Sequence, residues 1–308
     1  MSLSFDTVSG GEEHAYLMPR SSLESFLEYM TDYAPAGVQW DRGQLAAAWK
    51  AAAARMDRLR ETEPDRADGQ VARPLPASLH AHAARVHADP HFRRAFSDSE
   101  WELGIVDLAA VVVSQKIVCL DHVRRVQARL GEGRSAADVF DCCLPTAQAP
   151  APAKASRIGD DEFAFVSASN DLRFLEAVLL RPDQVSGYQA SGPVAGIIGL
   201  VVGYGVNHLH VLSVGGRLIL NNGHHRACAL YAAGYRHVPC VVQQITHPDE
   251  IDLHAPAAVS RNPAFYLTDP RPPLIGDYFD PALTHRVNLH LTSKHVRVSY
   301  SVDQRDMP

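Results

Sequence analysis

Residues 217–243, RLILNNGHHRACALYAAGYRHVPCVVQ, constrain the fold of this chain more than any other stretch. They read as strand, sharp turn, helix, turn, strand. The apolar run at 218–220 stops at Asn221-Asn222-Gly223, a combination that ends a strand. From about His225, the residues Ala227, Leu230, Tyr231 and Ala233 share one face at helical spacing. Gly234 stands where a helix stops. Pro239 then leads into Cys240-Val241-Val242, which is short, apolar and β-prone. The chemistry gathers at the joint, Gly223-His224-His225-Arg226. A helix start leaves backbone N–H groups without partners, and its dipole favours negative charge. Gly223 lets a backbone approach a ligand closely, and a guanidinium makes charge-assisted bonds to phosphate. The turn therefore reads as a site for phosphate or another anion. The competing reading is a structural turn whose Arg226 caps carbonyl groups.

The bulk numbers set bounds. A chain of 308 residues buries a large core and makes one or two domains. A net charge of −6 gives no support for broad nucleic-acid binding. The longest apolar run, 194–206, is too short and too rich in glycine to cross a bilayer. The first residues lack the basic and apolar regions of a secretory signal. Five cysteines without metal-finger spacing fit a reducing compartment, so the expected location is cytoplasmic.

Along the chain, residues 1–20 read as a flexible leader. Ser21-x-x-Glu24 resembles a capping box in front of a helix carrying Leu23, Phe26, Leu27 and Met30. A second helix spans about 41–63, with Leu45, Trp49, Met56 and Leu59 in a stripe. Residues 64–76 hold three prolines and read as a linker. A third helix follows at 76–88, and Asp89-Pro90 restarts it as N-cap and N1. Residues 1–97 are thus expected to be a helical unit without a share in any sheet, suited to contacting a second copy or a protein partner. Strands are expected at 105–113, followed by a helix capped by Asp121. Residues 131–190 read as an insertion with a linker at 145–155, a strand at 163–166 and a helix at 171–180. Residues 207–220 alternate around Gly215-Gly216, the pattern of a hairpin. Residues 246–308 read as an irregular arm with a terminal strand near 295–302.

The order strand, Gly223-His224-His225-Arg226, Ala-rich helix, Gly234, Pro239 and apolar strand resembles the signature of the ParB/sulfiredoxin-like superfamily. The match covers about 27 residues, with a weaker one near Ser114-Gln115-Lys116, about a hundred residues earlier. The resemblance implies an α/β fold with a ParB/sulfiredoxin-like core over 98–245. That superfamily includes sulfinic-acid reductases, CTP-binding partition proteins and free-serine kinases, so it bears on the fold more than on the activity. Its reductases carry a cysteine where this chain has His224. Its serine kinases come closest in this turn, but their acidic residue is replaced here by Asn222, and their glutamate base by Gln115. An amide does not act as a general base.

The resulting reading is a nucleotide- or phosphate-binding enzyme, a phosphotransferase or nucleotide hydrolase using ATP or CTP with Mg2+. His224 or His225 would transfer the proton and Asn222 would orient; Gly223, Arg226 and Gln115 would bind the nucleotide. The alternative is a non-catalytic nucleotide-sensing module acting through a partner. A bound anion would raise both histidine pKa values, so affinity would fall as pH rises between roughly 6 and 8. No metal set is assigned. His208-x-His210 has chelating spacing on a strand but fits core histidines better, and Asp160-Asp161-Glu162 fits a solvated loop better than a magnesium site.

Overall fold

The computed structural model describes residues 11–34, 38–97, 99–131, 133–146, 152–169, 171–289 and 294–306. The chain is mixed α/β. In order it forms β1 (Glu12–Leu17), α1 (Leu23–Asp32), α2 (Arg42–Thr62), β2 (Arg73–Pro74), α3 (His80–Ala88), α4 (Pro90–Ala95), β3 (Trp101–Asp107), β4 (Ile117–Cys119), α5 (Leu120–Leu130) and α6 (Ala136–Cys143). Next come β5 (Ala153–Arg157), β6 (Glu162–Ser167), β7 (Leu172–Leu180), β8 (Ile197–Tyr204), β9 (His210–Val214), β10 (Arg217–Asn222), α7 (His224–Ala232) and β11 (His237–Gln244). The remainder is α8 (Pro248–His254), α9 (Ala257–Arg261), α10 (Pro263–Leu267), β12 (Thr284–Leu289) and β13 (Lys294–Ser299). No helix among the described residues is long and apolar enough to cross a membrane.

Two compact units result. The first joins Met1–Ala147 to Asn207–His290 and the second joins Gln148–Val206 to Leu291–Pro308. In the first, a five-stranded sheet has the order β10-β9-β11-β3-β2 and a three-stranded one the order β12-β1-β4. The hairpin β9–β10 turns on Gly215 and Gly216, at φ 56° and 80°, the positive pair of a type I′ turn. β11 runs parallel to β9 and antiparallel to β3. β10 is an edge strand by ladder order rather than the central one its apolar run suggests. Its outer side is covered by Val112, whose N–H donates to Leu218 O and whose O accepts from Leu220 N–H. This cover explains why residues 217–220 are buried on an edge.

The sequence reading of residues 1–97 as helices alone is corrected. β1 lies in the middle of the three-stranded sheet, between β12 and β4, and β2 pairs with β3. Residues 1–10 of the expected leader lie outside the described residues. Helices α1 and α2 turn Phe26, Met30, Leu45 and Ala52 onto Tyr16 of β1 and Val287 of β12. Their apolar stripe is therefore consumed inside this unit, not held out for a partner. Residues 64–76 are no free linker either: Ala67 is fully buried, and Asp65 and Gln70 N–H groups donate to Pro270 and Gly216 O.

In the second unit, β13 pairs with β6, and β6 with β5. The terminal strand is thus part of the sheet formed by the insertion. Residues 171–180, expected to be helical, form β7 and pair antiparallel with β8 over Leu180↔Ile197 to Leu172↔Tyr204. Leu, Glu and Ala give that stretch good helix propensity, and cross-strand pairing overrides it.

Candidate functional site

The turn after β10 forms as the sequence implies. Gly223 takes φ 88° and caps α7, which begins at His224. The glycine is required twice over. Its φ lies in the left-handed region, and a Cβ there would meet Leu209 Cδ1 at 2.9 Å and Leu209 Cα at 3.3 Å. The Gly223 N–H donates to Asn222 Oδ1 at 2.9 Å, so Asn222 fixes the turn. The first helical bond, Ala227 N–H to Gly223 O, leaves the N–H groups of residues 224–226 ahead of the ladder. At the far end, Gly234 N–H bonds Tyr231 O and Tyr235 N–H bonds Leu230 O, the Schellman pattern.

The side chains of the turn are committed inward. Arg226 Nη1 donates to Asn207 O at 2.8 Å and to Cys143 O at 3.2 Å. This guanidinium caps two carbonyls, the structural alternative raised by the sequence. His225 Nε2 accepts the Cys119 N–H at 3.2 Å, and its ring lies 4.9 Å from that of His122. His224 Nε2 is shut off from solvent and has no partner among the described residues. Burial pushes the His224 pKa down to about 4. Burial, followed by the neighbouring His122, His224, His14 and Arg125, brings His225 to about 3. Both rings are neutral throughout pH 6 to 8, so the expected titration of the site in that range is corrected. Neutral imidazoles also give no charge to hold an anion. The Gln115 backbone O accepts the Tyr278 hydroxyl at 2.6 Å, and Gln115 is not among the residues lining the clefts described below.

Other sequence candidates resolve as structural. His208 and His210 are buried against Phe92 and Phe96, respectively, and His208 Nε2 donates to Pro145 O at 3.1 Å. Glu162 pairs with Arg297, and Asp160 is the exposed partner of Arg157.

The convergence of positive charge lies at another place. A cleft of about 380 Å³ is lined by Arg20, Lys116 and Arg261, with Ser22, Phe265 and Tyr266 among its walls. No carboxylate is among its lining residues. Arg20 is fixed by Nε and Nη2 bonds to Ser114 O, at 2.8 and 2.6 Å, and stands 5.0 Å over the Tyr266 ring. Lys116 is half-buried and Arg261 exposed. A second cleft, of about 220 Å³, is lined by Arg55, Glu63, Arg66, Arg271, Asp277 and Asp280, and its carboxylates are taken by arginines: Asp277 by Arg271 at 2.8 Å, Glu63 by Arg271 at 3.3 Å and Asp280 by Arg55 at 3.2 Å. The sequence signal for the first cleft was Lys116, beside Gln115. Arg20 and Arg261 lie in stretches without a motif. A further group, Glu12, His14 and Cys119, is also brought together by the fold. The turn and the first cleft supply no carboxylate, and those lining the second, Glu63, Asp277 and Asp280, are paired with arginines, so these residues do not fit Mg2+ beside a phosphate. No protein-family model, curated protein or solved structure matches the chain.

Proposed function

We propose that this chain is a ParB/sulfiredoxin-like module that binds a nucleotide or phosphorylated small molecule in the cleft of Arg20, Lys116 and Arg261, and that it senses rather than transforms its ligand. One observation carries the reading: three cations line one cleft without an acid, in a chain of net charge −6. Guanidinium and ammonium groups suit phosphate oxygens, and the partly exposed Phe265 offers an aromatic ring to a base. The hairpin β9–β10, the left-handed Gly223, α7 and the parallel strand β11 support the superfamily resemblance. The neutral, buried histidines and the missing carboxylates weigh against a phosphotransferase. The one observation on the enzyme side is the unpartnered Nε2 of His224, a base of low strength at its depressed pKa.

Calorimetric titration of the full chain with ATP, CTP and inorganic phosphate tests this. Each lost charge-assisted bond costs about 1.5–3 kcal/mol, so Lys116→Ala and Arg261→Ala should each weaken binding by roughly tenfold or more. No binding by any of the three, or wild-type affinity in both variants, refutes the cleft. Phosphate release by the wild type that disappears in His224→Ala would replace the sensing reading with the enzymatic one.

A further inference from the structure

The strand β1 was hidden within the expected leader, and its pairing creates a cluster that no spacing in the sequence announces. Glu12 and His14 are two residues apart on β1, so their side chains leave the same face. In the antiparallel pair with β4, Cys119 stands directly opposite His14. Opposed residues of such a pair project to the same side. One donor atom each from Glu12, His14 and Cys119 lies within 4.8 Å of the others.

From this we infer a binding site for a divalent transition-metal ion of the zinc class, held by the Glu12 carboxylate, the His14 imidazole and the Cys119 thiolate, with its fourth position left to water. Thiolate, imidazole and carboxylate together suit a borderline-soft ion such as Zn2+ or Co2+ and do not suit Mg2+ or Ca2+. The distances are close to those required. Zn–S of about 2.3 Å and Zn–O of about 2.1 Å put two tetrahedral ligand atoms roughly 3.6 Å apart. The Cys119 Sγ to Glu12 Oε2 separation is 3.2 Å. The imidazole is prepared as well. His14 Nδ1 lies 2.8 Å from Glu12 O. A carbonyl only accepts, so Nδ1 carries the proton and the Nε2 lone pair is free. A ligating histidine commonly donates its other ring N–H to a backbone carbonyl in this way.

Without metal, the cluster is held by substitutes for the ion. The Cys119 thiol donates to Glu12, and Arg125 Nη2 sits 2.7 Å from Glu12 Oε1. Arg125 is half exposed and can withdraw into solvent. On binding, the S–H bond is replaced by a sulfur–metal bond and the thiol proton leaves to solvent. The guanidinium is displaced from the carboxylate by the stronger local charge. Three protein ligands and one open position are the arrangement of a reactive rather than a closed structural zinc site.

Titration of the full chain with Co2+, read by absorption, tests the site. The expected result is one equivalent bound, with a near-ultraviolet thiolate-to-cobalt band that Zn2+ abolishes by competition. Cys119→Ser should remove the band, and Cys142→Ser, at the half-buried thiol outside the cluster, should keep it. Glu12→Gln and His14→Ala should each weaken Co2+ binding at least tenfold. Arg125→Ala should tighten it, because a competing cation has gone; binding no tighter than wild type removes Glu12 from the ligand set. Circular dichroism identifies any variant that fails to fold, and the wild-type titration stands independently of them. No Co2+ binding by the wild type, or a thiolate band that survives Cys119→Ser, overturns the site.

Discussion

Replacing Gly223 by alanine isolates the cost of the turn from which α7 starts. Two unfavourable effects add. A φ of 88° puts an alanine in the left-handed region, at about 1–2 kcal/mol. Its Cβ would also stand 2.9 Å from Leu209 Cδ1 and 3.3 Å from Leu209 Cα. Leu209 is fully buried, and its Cα belongs to backbone held by a bond from its N–H to Cys143 O. Overpacking of this kind costs about 1–3 kcal/mol. A stiffer unfolded chain returns about 0.4–1 kcal/mol, leaving a net loss of roughly 1–4.5 kcal/mol. Gly234→Ala is the control. It has φ 90° with nothing within 4 Å of the added Cβ, so only the strain remains, roughly 0–1.5 kcal/mol after the same offset. Urea unfolding followed by tryptophan fluorescence measures both, because Trp40, Trp49 and Trp101 all lie in the unit that contains the turn. A Gly223→Ala protein no less stable than Gly234→Ala would show that Leu209 is not packed against the turn, and would refute the tight joint between β9 and α7.

The two histidines make stability depend on pH. Their folded pKa values, about 4 and about 3, lie below the unfolded ~6.5, so the unfolded chain takes up protons that the native state refuses. Stability from this source is complete above ~6.5 and falls by about 1.4 kcal/mol per unit and ring, down to about pH 4 for His224 and about pH 3 for His225. His224→Gln should flatten that slope between pH 6 and 4 in urea melts, and an unchanged slope would place the ring in solvent. Native trypsin digestion should spare Arg66 and Arg73, because Asp65 and Gln70 are anchored to Pro270 and Gly216 and Arg73 pairs with Ile105. Early cleavage at either arginine would restore the linker reading.

What the sequence revealed and what it hid divide along the range of the interactions involved. The β10–α7–β11 passage, the Asp89 cap and the Gly215-Gly216 hairpin are specified by residues within a turn or two of each other, and each is formed. Other caps shifted with their neighbours: Ser22 rather than Ser21 caps α1, and Cys119 rather than Asp121 caps α5, whose Asp121 Oδ2 instead accepts the Glu13 N–H. β1 was missed because Glu12, Glu13 and His14 break its apolar alternation. It is a strand because β12 and β4 flank it, and both are distant in sequence. β7 was misread because the pairing with β8 decides it, and the strand-prone Ile and Val residues of β8 sit in a stretch, 192–205, interrupted by five glycines. The metal-type cluster spans 107 residues between Glu12 and Cys119, and no local pattern reports such a meeting. Carbonyl capping by Arg226 was one of the two readings of the turn, but which carbonyls it meets, those of Cys143 and Asn207, was hidden for the same reason, because every residue possesses one.

Those acceptors show what the arginine does. Cys143 and Asn207 stand on either side of the point where the chain leaves the first unit after Ala147 and re-enters it at Asn207. Arg226 Nη1 bonds both carbonyls, Leu209 N–H bonds Cys143 O, and His208 bonds Pro145 O. The departing and returning strands of chain are therefore stapled together by residues on and beside α7. This gives Arg226→Ala two separable consequences. Removing this buried guanidinium takes the donor from Asn207 O, while Cys143 O keeps the Leu209 N–H, a loss of about 1–3 kcal/mol. The cleft of Arg20, Lys116 and Arg261 does not include Arg226, so nucleotide affinity measured on the folded variant should stay within about twofold of wild type, below ~0.4 kcal/mol. If Arg226 instead grips the ligand, as the resemblance implies, the pattern reverses: stability holds and binding is lost. Urea unfolding and nucleotide titration on the same preparation distinguish the two, and the reversed pattern would return the anion site to the Gly223 turn.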